Sequence, residues 1–112
     1  LARSRLSVPM QLAARYGFFE RYQSLFDYGC GRGDDLRVLS GMGLEASGWD
    51  PHFNPEADKV PADLVNLGFV LNVIESPQER SRVLREAFSL TKQALVVGVL
   101  AGSPRPDANF RS

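Results

Sequence analysis

The sequence predicts a three-layer α/β fold, in which a parallel sheet lies between helices. Short apolar segments alternate with segments of helical periodicity along most of the chain, which is the pattern of a parallel sheet with right-handed crossovers. A glycine cluster separates the first of these apolar segments from the helix that follows it. The length of 112 residues allows one domain, since single domains usually have about 100–150 residues.

The composition excludes several classes of protein. Lys+Arg and Asp+Glu each number 13, so the chain lacks the basic excess that nucleic-acid-binding modules usually carry. Hydrophobic residues make up 44% and charged residues 23%, which is typical of globular domains and argues against disorder. No apolar run approaches the roughly 20 residues of a membrane-spanning helix. The single cysteine, Cys30, excludes an internal disulfide and is typical of a reducing compartment, so we expect a cytoplasmic protein without membrane contact.

The first three elements are marked by the residues at their ends. Ser7 is a favourable N-cap for a helix that Gly17 ends. Residues 24–28 (SLFDY) form a short apolar and aromatic segment before the glycine cluster, which predicts a strand. The Asp34–Asp35 pair favours the start of a second helix, because carboxylates stabilise the positive end of a helix. The apolar spacing of this helix continues to Gly43.

The second half continues the alternation of strands and helices. It divides, in chain order, into a strand at 44–49, an irregular proline-rich segment at 52–62, a strand from 63 to 67 with a turn near Gly68, a helix after Ser76, and a strand at 94–100. The helix start is the clearest signal, because Ser76, Pro77 and Glu79 supply an N-cap, a first-turn proline and a capping-box glutamate.

Glycines and acidic residues are predicted to meet at one edge of the sheet. In parallel α/β sheets the ligand crevice lies beyond the carboxyl ends of the strands. This rule brings the loop after residue 28 close to Asp50 and to the turn near Gly68. The glycines of the loop, Gly29, Gly31 and Gly33, allow the backbone to approach a ligand closely. An acid about 20 residues after such a loop, here Asp50, can bond the hydroxyl groups of a ribose.

Two nucleotide-type ligands compete for this loop. A dinucleotide fingerprint needs its third glycine at position 34, where this chain has Asp34 followed by Asp35. Two carboxylates at a helix start repel a pyrophosphate. S-adenosylmethionine instead carries a sulfonium and an amino group, which suit acidic neighbours, and its adenosine offers ribose hydroxyls to Asp50. Charge complementarity therefore favours S-adenosylmethionine over a nicotinamide cofactor.

Three motifs resemble those of class I S-adenosylmethionine-dependent methyltransferases, which have a Rossmann-like fold. They are the glycine-rich first motif at 27–33 (DYGCGRG), the acidic second motif at 48–51 (GWDP) and the fourth-strand motif at 63–66 (DLVN). The longer stretches at 26–35 (FDYGCGRGDD) and 66–75 (NLGFVLNVIE) are similar to the bacterial methyltransferases associated with DNA phosphorothioation, and RLSVP at 5–9 fits them too. The resemblance covers residues 3–99.

The resemblance implies a methyltransferase in which Asp27 orients the methionine end of the cofactor and Asp50 holds its ribose. The implied cofactor-binding residues are Asp27, Gly29, Cys30, Gly31, Gly33, Asp50 and Asn66. The methyl acceptor is unidentified, and DNA is a candidate only through the genomic association of the family. The alternative is a Rossmann-like module that holds the cofactor, or a partner protein, without turnover. A nicotinamide oxidoreductase is the third hypothesis.

The chain also departs from the pattern of the family. Only 12 residues separate Asp50 from Asp63, about the minimum for a parallel crossover, so one edge strand is expected to be absent or abbreviated. The two strands that usually follow the fifth have no counterpart. We therefore expect a truncated class I core, the cofactor part of a larger protein. We expect three parts along the chain. Residues 1–23 form a helical segment packed on the core at 24–100, and residues 101–112 form a flexible tail.

Several polar residues have more than one interpretation. Asn66 begins NLGF, where amino-methyltransferases carry Asn/Asp-Pro-Pro-Tyr/Phe, and a turn lining the cofactor pocket is favoured over contact with a substrate amine because both prolines are missing. His52 is interpreted as a solvated loop residue and Cys30 as a packing residue, although a helix N-terminus can lower a thiol pKa. No cluster has metal-ligand spacing, so no metal is expected. Asp50→Ala is expected to weaken S-adenosylmethionine binding about tenfold and to leave the fold intact, with no buried partner left unpaired.

Overall fold

The computed structural model describes residues 5–68 and 74–98 and confirms the α/β fold. Its helices are α1 (Val8–Arg15), α2 (Phe18–Arg21), α3 (Asp34–Gly41) and α4 (Pro77–Ser89), and its strands are β1 (Ser24–Tyr28), β2 (Glu45–Trp49), β3 (Ala62–Gly68) and β4 (Thr91–Gly98). All strand pairs are parallel, and the order across the sheet is β2-β1-β3-β4. None of the helices in these two ranges is long and apolar enough to cross a membrane.

Side chains of the central strands alternate between two apolar layers, as expected for a sheet buried on both faces. On one face, residues of β1 and β3 pack with α1 and α3, and the buried members are Met10, Ala13, Leu25, Leu39 and Leu64. On the other face they pack with α4, and the buried members include Phe26, Tyr28, Val65, Leu67, Val83 and Ala87. The helical segment before β1 is therefore part of the core.

The register of the sheet brings polar residues of neighbouring strands side by side. Strand β1 lies between β2 and β3, and Asp27 of β1 is opposite Gly48 of β2 and Asn66 of β3. Because the strands are parallel, their carboxyl ends meet at the same edge. The loop after β1 consequently begins within reach of the ends of both neighbouring strands.

Some predicted bounds are confirmed and others shift. Strand β1 has the predicted bounds, and at the start of α4 the hydroxyl of Ser76 accepts a hydrogen bond from the N–H of Glu79 at 3.2 Å. Helix α3 ends at Gly41, two residues before its predicted end at Gly43. Strand β4 begins at Thr91, three residues before its predicted start. Its first residues are polar and pair with β3 through the backbone, so the apolar pattern of the sequence does not reveal them. The turn predicted near Gly68 is wrong at that residue, because Gly68 is the last residue of β3 and pairs with Gly98 of β4. The predicted strand end at 99–100 and the tail at 101–112 lie outside the described residues, as do residues 69–73.

The segment between β2 and β3 is fastened to the face of the sheet that α4 covers. The Nζ of Lys59 lies 4.0 Å from the centroid of the Trp49 ring and donates to Glu86 of α4 at 2.9 Å. The hydroxyl of Tyr28 also donates to Glu86. The indole N–H of Trp49 donates to the carbonyl oxygen of Pro55 at 3.1 Å. This crossover carries no strand of its own, so β2 is an outer strand of the described sheet.

Candidate functional site

The glycine loop between β1 and α3 satisfies its own backbone donors. Gly29 and Cys30 both donate their N–H groups to the last carbonyl oxygen of β2, at 2.7 and 2.9 Å. Gly31 donates to Oδ2 of Asp50 at 2.8 Å, and Gly33 donates to the carbonyl oxygen of Cys30 at 3.0 Å. The glycines have φ angles of 87°, 57° and 83°, which other residues rarely adopt. These four N–H groups therefore point into the protein and not toward a phosphate.

Asp50 holds this loop from the end of β2. The residue is 8% exposed. Its Oδ1 accepts from the N–H groups of His52 and Phe53 at 2.8 and 3.0 Å, and its Oδ2 accepts from Gly31. Burial alone would raise the pKa of Asp50, but these three donors outweigh burial and lower it.

Two expectations about Asp50 change as a result. The expectation that its replacement leaves no buried partner unpaired is wrong, because three backbone N–H groups would lose their acceptor. The side chain also lies beneath the loop and is not among the residues that line the clefts described below. An aspartate just after a strand readily bonds the N–H groups that follow it, and this local use was missed in the sequence. Ribose binding by Asp50 stays a prediction.

Asp27 and Asn66 lie side by side on β1 and β3 and are almost fully buried, with 4% and 3% exposed. The Nδ2 of Asn66 donates to Oδ1 of Asp27 at 3.1 Å. Within the part of the chain that the structure describes, Oδ1 of Asn66 has no hydrogen-bond partner. Leaving a buried acceptor unpaired costs about 1–3 kcal/mol. Asn66 lies inside β3 and not in a turn, which corrects the favoured interpretation of this residue.

These two residues line a cleft of about 270 Å³, called here the Asp27–Asn66 cleft. The glycine loop and the acidic start of α3 form one side of it, and Ser7 and Pro9 from the N-terminal segment form another. Ser7 and Pro9 were missed as site residues, because no pattern in the sequence reveals which distant segment covers a cleft. The sequence predicted the Asp34–Asp35 pair as a helix start whose charge favours a cationic ligand, and both residues line the cleft.

A second cleft, of about 420 Å³, lies on the other side of the glycine loop and is called here the Phe53 cleft. It shares Cys30, Gly31 and Arg32 with the first cleft. The guanidinium carbon of Arg32 lies 5.3 Å from the centroid of the Phe53 ring, which is exposed. Because the two clefts share the loop, a ligand that passes over the loop would contact both of them.

The thiol of Cys30 is a neutral packing group between the clefts. Burial, together with the charges of Asp27 and Asp50, raises the pKa of Cys30 to about 11. His52 contributes its backbone N–H to Asp50, and the residue is exposed. Over residues 5–68 and 74–98, no group of three His, Cys, Asp or Glu side chains could hold a metal ion.

The structure is that of an α/β protein with two clefts at the carboxyl edge of a parallel sheet, the edge at which such sheets bind their ligands. No protein-family model matches the chain, and neither does any curated protein.

Proposed function

We propose that this chain binds S-adenosylmethionine across the two clefts and is the cofactor-binding part of a methyltransferase. The supporting observation is the buried Asp27–Asn66 pair, in which Oδ1 of Asn66 has no partner among the described residues. This oxygen needs a hydrogen-bond donor, and the carboxylate beside it favours a donor with positive charge. The α-ammonium group of a methionine moiety meets both requirements.

A pyrophosphate fits the same loop poorly. Four N–H groups of the loop already donate within the protein. The start of α3 carries the buried acids Asp34 and Asp35, whereas anions bind helix starts whose N–H groups face the ligand. Hydrogen bonding and charge thus both favour the sulfonium cofactor over a dinucleotide.

The residues of the site have separate roles in this proposal. When bound, S-adenosylmethionine supplies a methyl group that its sulfonium has already activated. The protein binds and orients the cofactor, with Asp27 and Asn66 receiving the ammonium group. A Cβ at Gly31 would meet open space, so the ligand can pass close to the backbone there. Asp50 fixes the loop, and after its three N–H bonds a carboxylate keeps about one acceptor site for a ribose hydroxyl.

Calorimetric titration of the purified chain with S-adenosylmethionine, S-adenosylhomocysteine and NAD tests the binding proposal. We expect the first two to bind and NAD to bind more weakly or not at all. The variant Asn66→Leu keeps the branching of the side chain but removes the oxygen that has no described partner, and it should weaken S-adenosylmethionine binding about tenfold or more. Tighter binding of NAD, or no binding of S-adenosylmethionine by the parent, would contradict the proposal.

Transfer of a radiolabelled methyl group to DNA or to a protein mixture tests the methyltransferase part. DNA is the acceptor that the sequence resemblance suggests, and protein is the comparison. Label in either acceptor supports a transferase. Cofactor binding without transfer to either would instead favour the non-catalytic module.

A further inference from the structure

We propose that the contact between Ser7 and Asp35 fixes the start of α1 as a wall of the Asp27–Asn66 cleft. In this way it sets the affinity of the site for the amino-acid end of the ligand. The inference rests on the proposed function, because it assumes that this end of S-adenosylmethionine occupies that cleft. Ser7 and Asp35 act here as positioning residues and not as catalytic ones.

Both carboxylate oxygens of Asp35 bind one residue of a distant segment. The N–H of Ser7 donates to Oδ1 at 2.8 Å, and the hydroxyl of Ser7 donates to Oδ2 at 2.6 Å. Asp35 is 4% exposed, so water competes little for these charge-assisted bonds. The two residues are 28 positions apart in the sequence. Their contact therefore ties the start of α1 to the start of α3.

The hydroxyl of Ser7 is not used in the way that its position in the sequence predicts. Ser7 is the N-cap residue of α1, but its side chain makes no capping hydrogen bond. A serine at this position usually stabilises its own helix by accepting from an N–H of the first turn. Here the hydroxyl donates to Asp35 instead. The hydroxyl of Ser7 therefore fixes the start of α1 against α3 and does not cap α1.

This fixed position matters because Ser7 and Pro9 line the cleft that contains Asp27 and Asn66. Pro9 is buried, two residues after Ser7 in the first turn of α1, and its ring holds its own backbone in one φ region. The described residues that line the Phe53 cleft include neither Ser7 nor Pro9. Loss of the contact should consequently affect one end of a bound ligand and not the other.

A pair of ligands measures this difference. S-adenosylhomocysteine carries the amino-acid end, and 5′-methylthioadenosine lacks it. We expect Ser7→Ala to weaken S-adenosylhomocysteine binding about fivefold to tenfold, which corresponds to about 1–1.4 kcal/mol, and to change methylthioadenosine binding less than about twofold. Ser7→Thr keeps the hydroxyl and should bind both ligands like the parent. Ser40→Ala, an exposed change on α3, is the matched control.

The outcomes separate the two proposals. A parent chain that binds neither ligand contradicts the proposed function. A parent that binds S-adenosylhomocysteine, with Ser7→Ala binding it equally well, overturns the positioning role alone. Equally weakened binding of both ligands in Ser7→Ala also overturns it, because a general loss of structure would affect contacts with both ends of the ligand.

Discussion

Strands β2 and β3 lie on either side of β1, and the polar side chains that they bring to the site have opposite roles. At the end of β2, Asp50 gives its carboxylate to three backbone N–H groups of its own chain. On β3, Asn66 shares one hydrogen bond with Asp27, and its amide oxygen has no partner among the described residues. The carboxylate therefore uses three of its roughly four acceptor sites to hold the loop, whereas the amide oxygen of Asn66 keeps its acceptor capacity for a ligand.

The difference follows from where each residue lies along its strand. Asp50 follows the last residue of β2, so the backbone turns beneath its side chain and supplies donors nearby. Asn66 lies inside β3, which pairs with β1 on one side and β4 on the other. The ladder uses the backbone groups around it, so no local N–H can reach its side chain. A polar residue within a central strand is thus the stronger indication of a ligand.

Asp50→Ala should have the largest effect on stability. Three N–H groups lose a charged acceptor, and we expect the free energy of unfolding to fall by about 3 kcal/mol or more, measured by urea denaturation. The glycine loop should loosen as well, so binding of S-adenosylmethionine should weaken by about tenfold or more. Unchanged stability would show that the loop does not depend on this carboxylate.

Asp50→Asn sharpens this test through its pH dependence. An amide keeps one acceptor oxygen, so the loss of stability near neutral pH should be smaller than for Asp50→Ala. Folding lowers the pKa of Asp50, so its contribution to stability is present above the ordinary pKa of about 4 and is lost as the pH falls through the folded value. The difference in unfolding free energy between the parent and Asp50→Asn should therefore shrink below about pH 4. A difference that does not change with pH would contradict this role.

Gly48→Ala should have the second largest effect, because it disturbs the packing of the loop against β2. A Cβ at this position would lie 2.8 Å from the Cβ of Cys30, 2.8 Å from a methyl group of Leu36 and 3.0 Å from the carbonyl oxygen of Asp27. Backbone atoms cannot move away cheaply, so we expect a loss of about 2 kcal/mol in thermal or urea unfolding. Gly41→Ala is the matched control. Its Cβ would meet open space within α3, so this variant should be neutral or slightly more stable.

Asn66→Leu should have the smallest effect on stability. The variant loses the hydrogen bond to Asp27 but also removes a buried acceptor without a described partner. These two contributions have opposite signs, so the unfolding free energy should change by less than about 1 kcal/mol. Together with the weakened cofactor binding predicted above, this result would show that the Asn66 amide serves ligand binding, whereas Asp50 serves stability. A loss well above about 1 kcal/mol would contradict this balance of two opposing contributions.

The sequence by itself determined the parallel α/β fold and most of its elements. The bounds of β1 and the start of α4 followed from local signals, which are an apolar run before glycines and the Ser76 capping box. The same signals placed Asp27, the glycine loop and Asp50 at one edge of the sheet, because parallel strands end together. Patterns within a few residues are sufficient to predict such features, because apolar spacing, glycine positions and helix-capping residues are local signals.

Only the tertiary structure decided how the polar groups of the site are used. The bond from Gly31 to Asp50 joins two loops, and the bonds from Ser7 to Asp35 join two helix starts. The oxygen of Asn66 that lacks a partner among the described residues owes its position to the register of β1 with β3. Residues far apart in the sequence supply these partners, and local propensity carries no information about them. Hydrogen bonds saturate, so the partner that a side chain finds in the folded chain decides whether it remains available to a ligand.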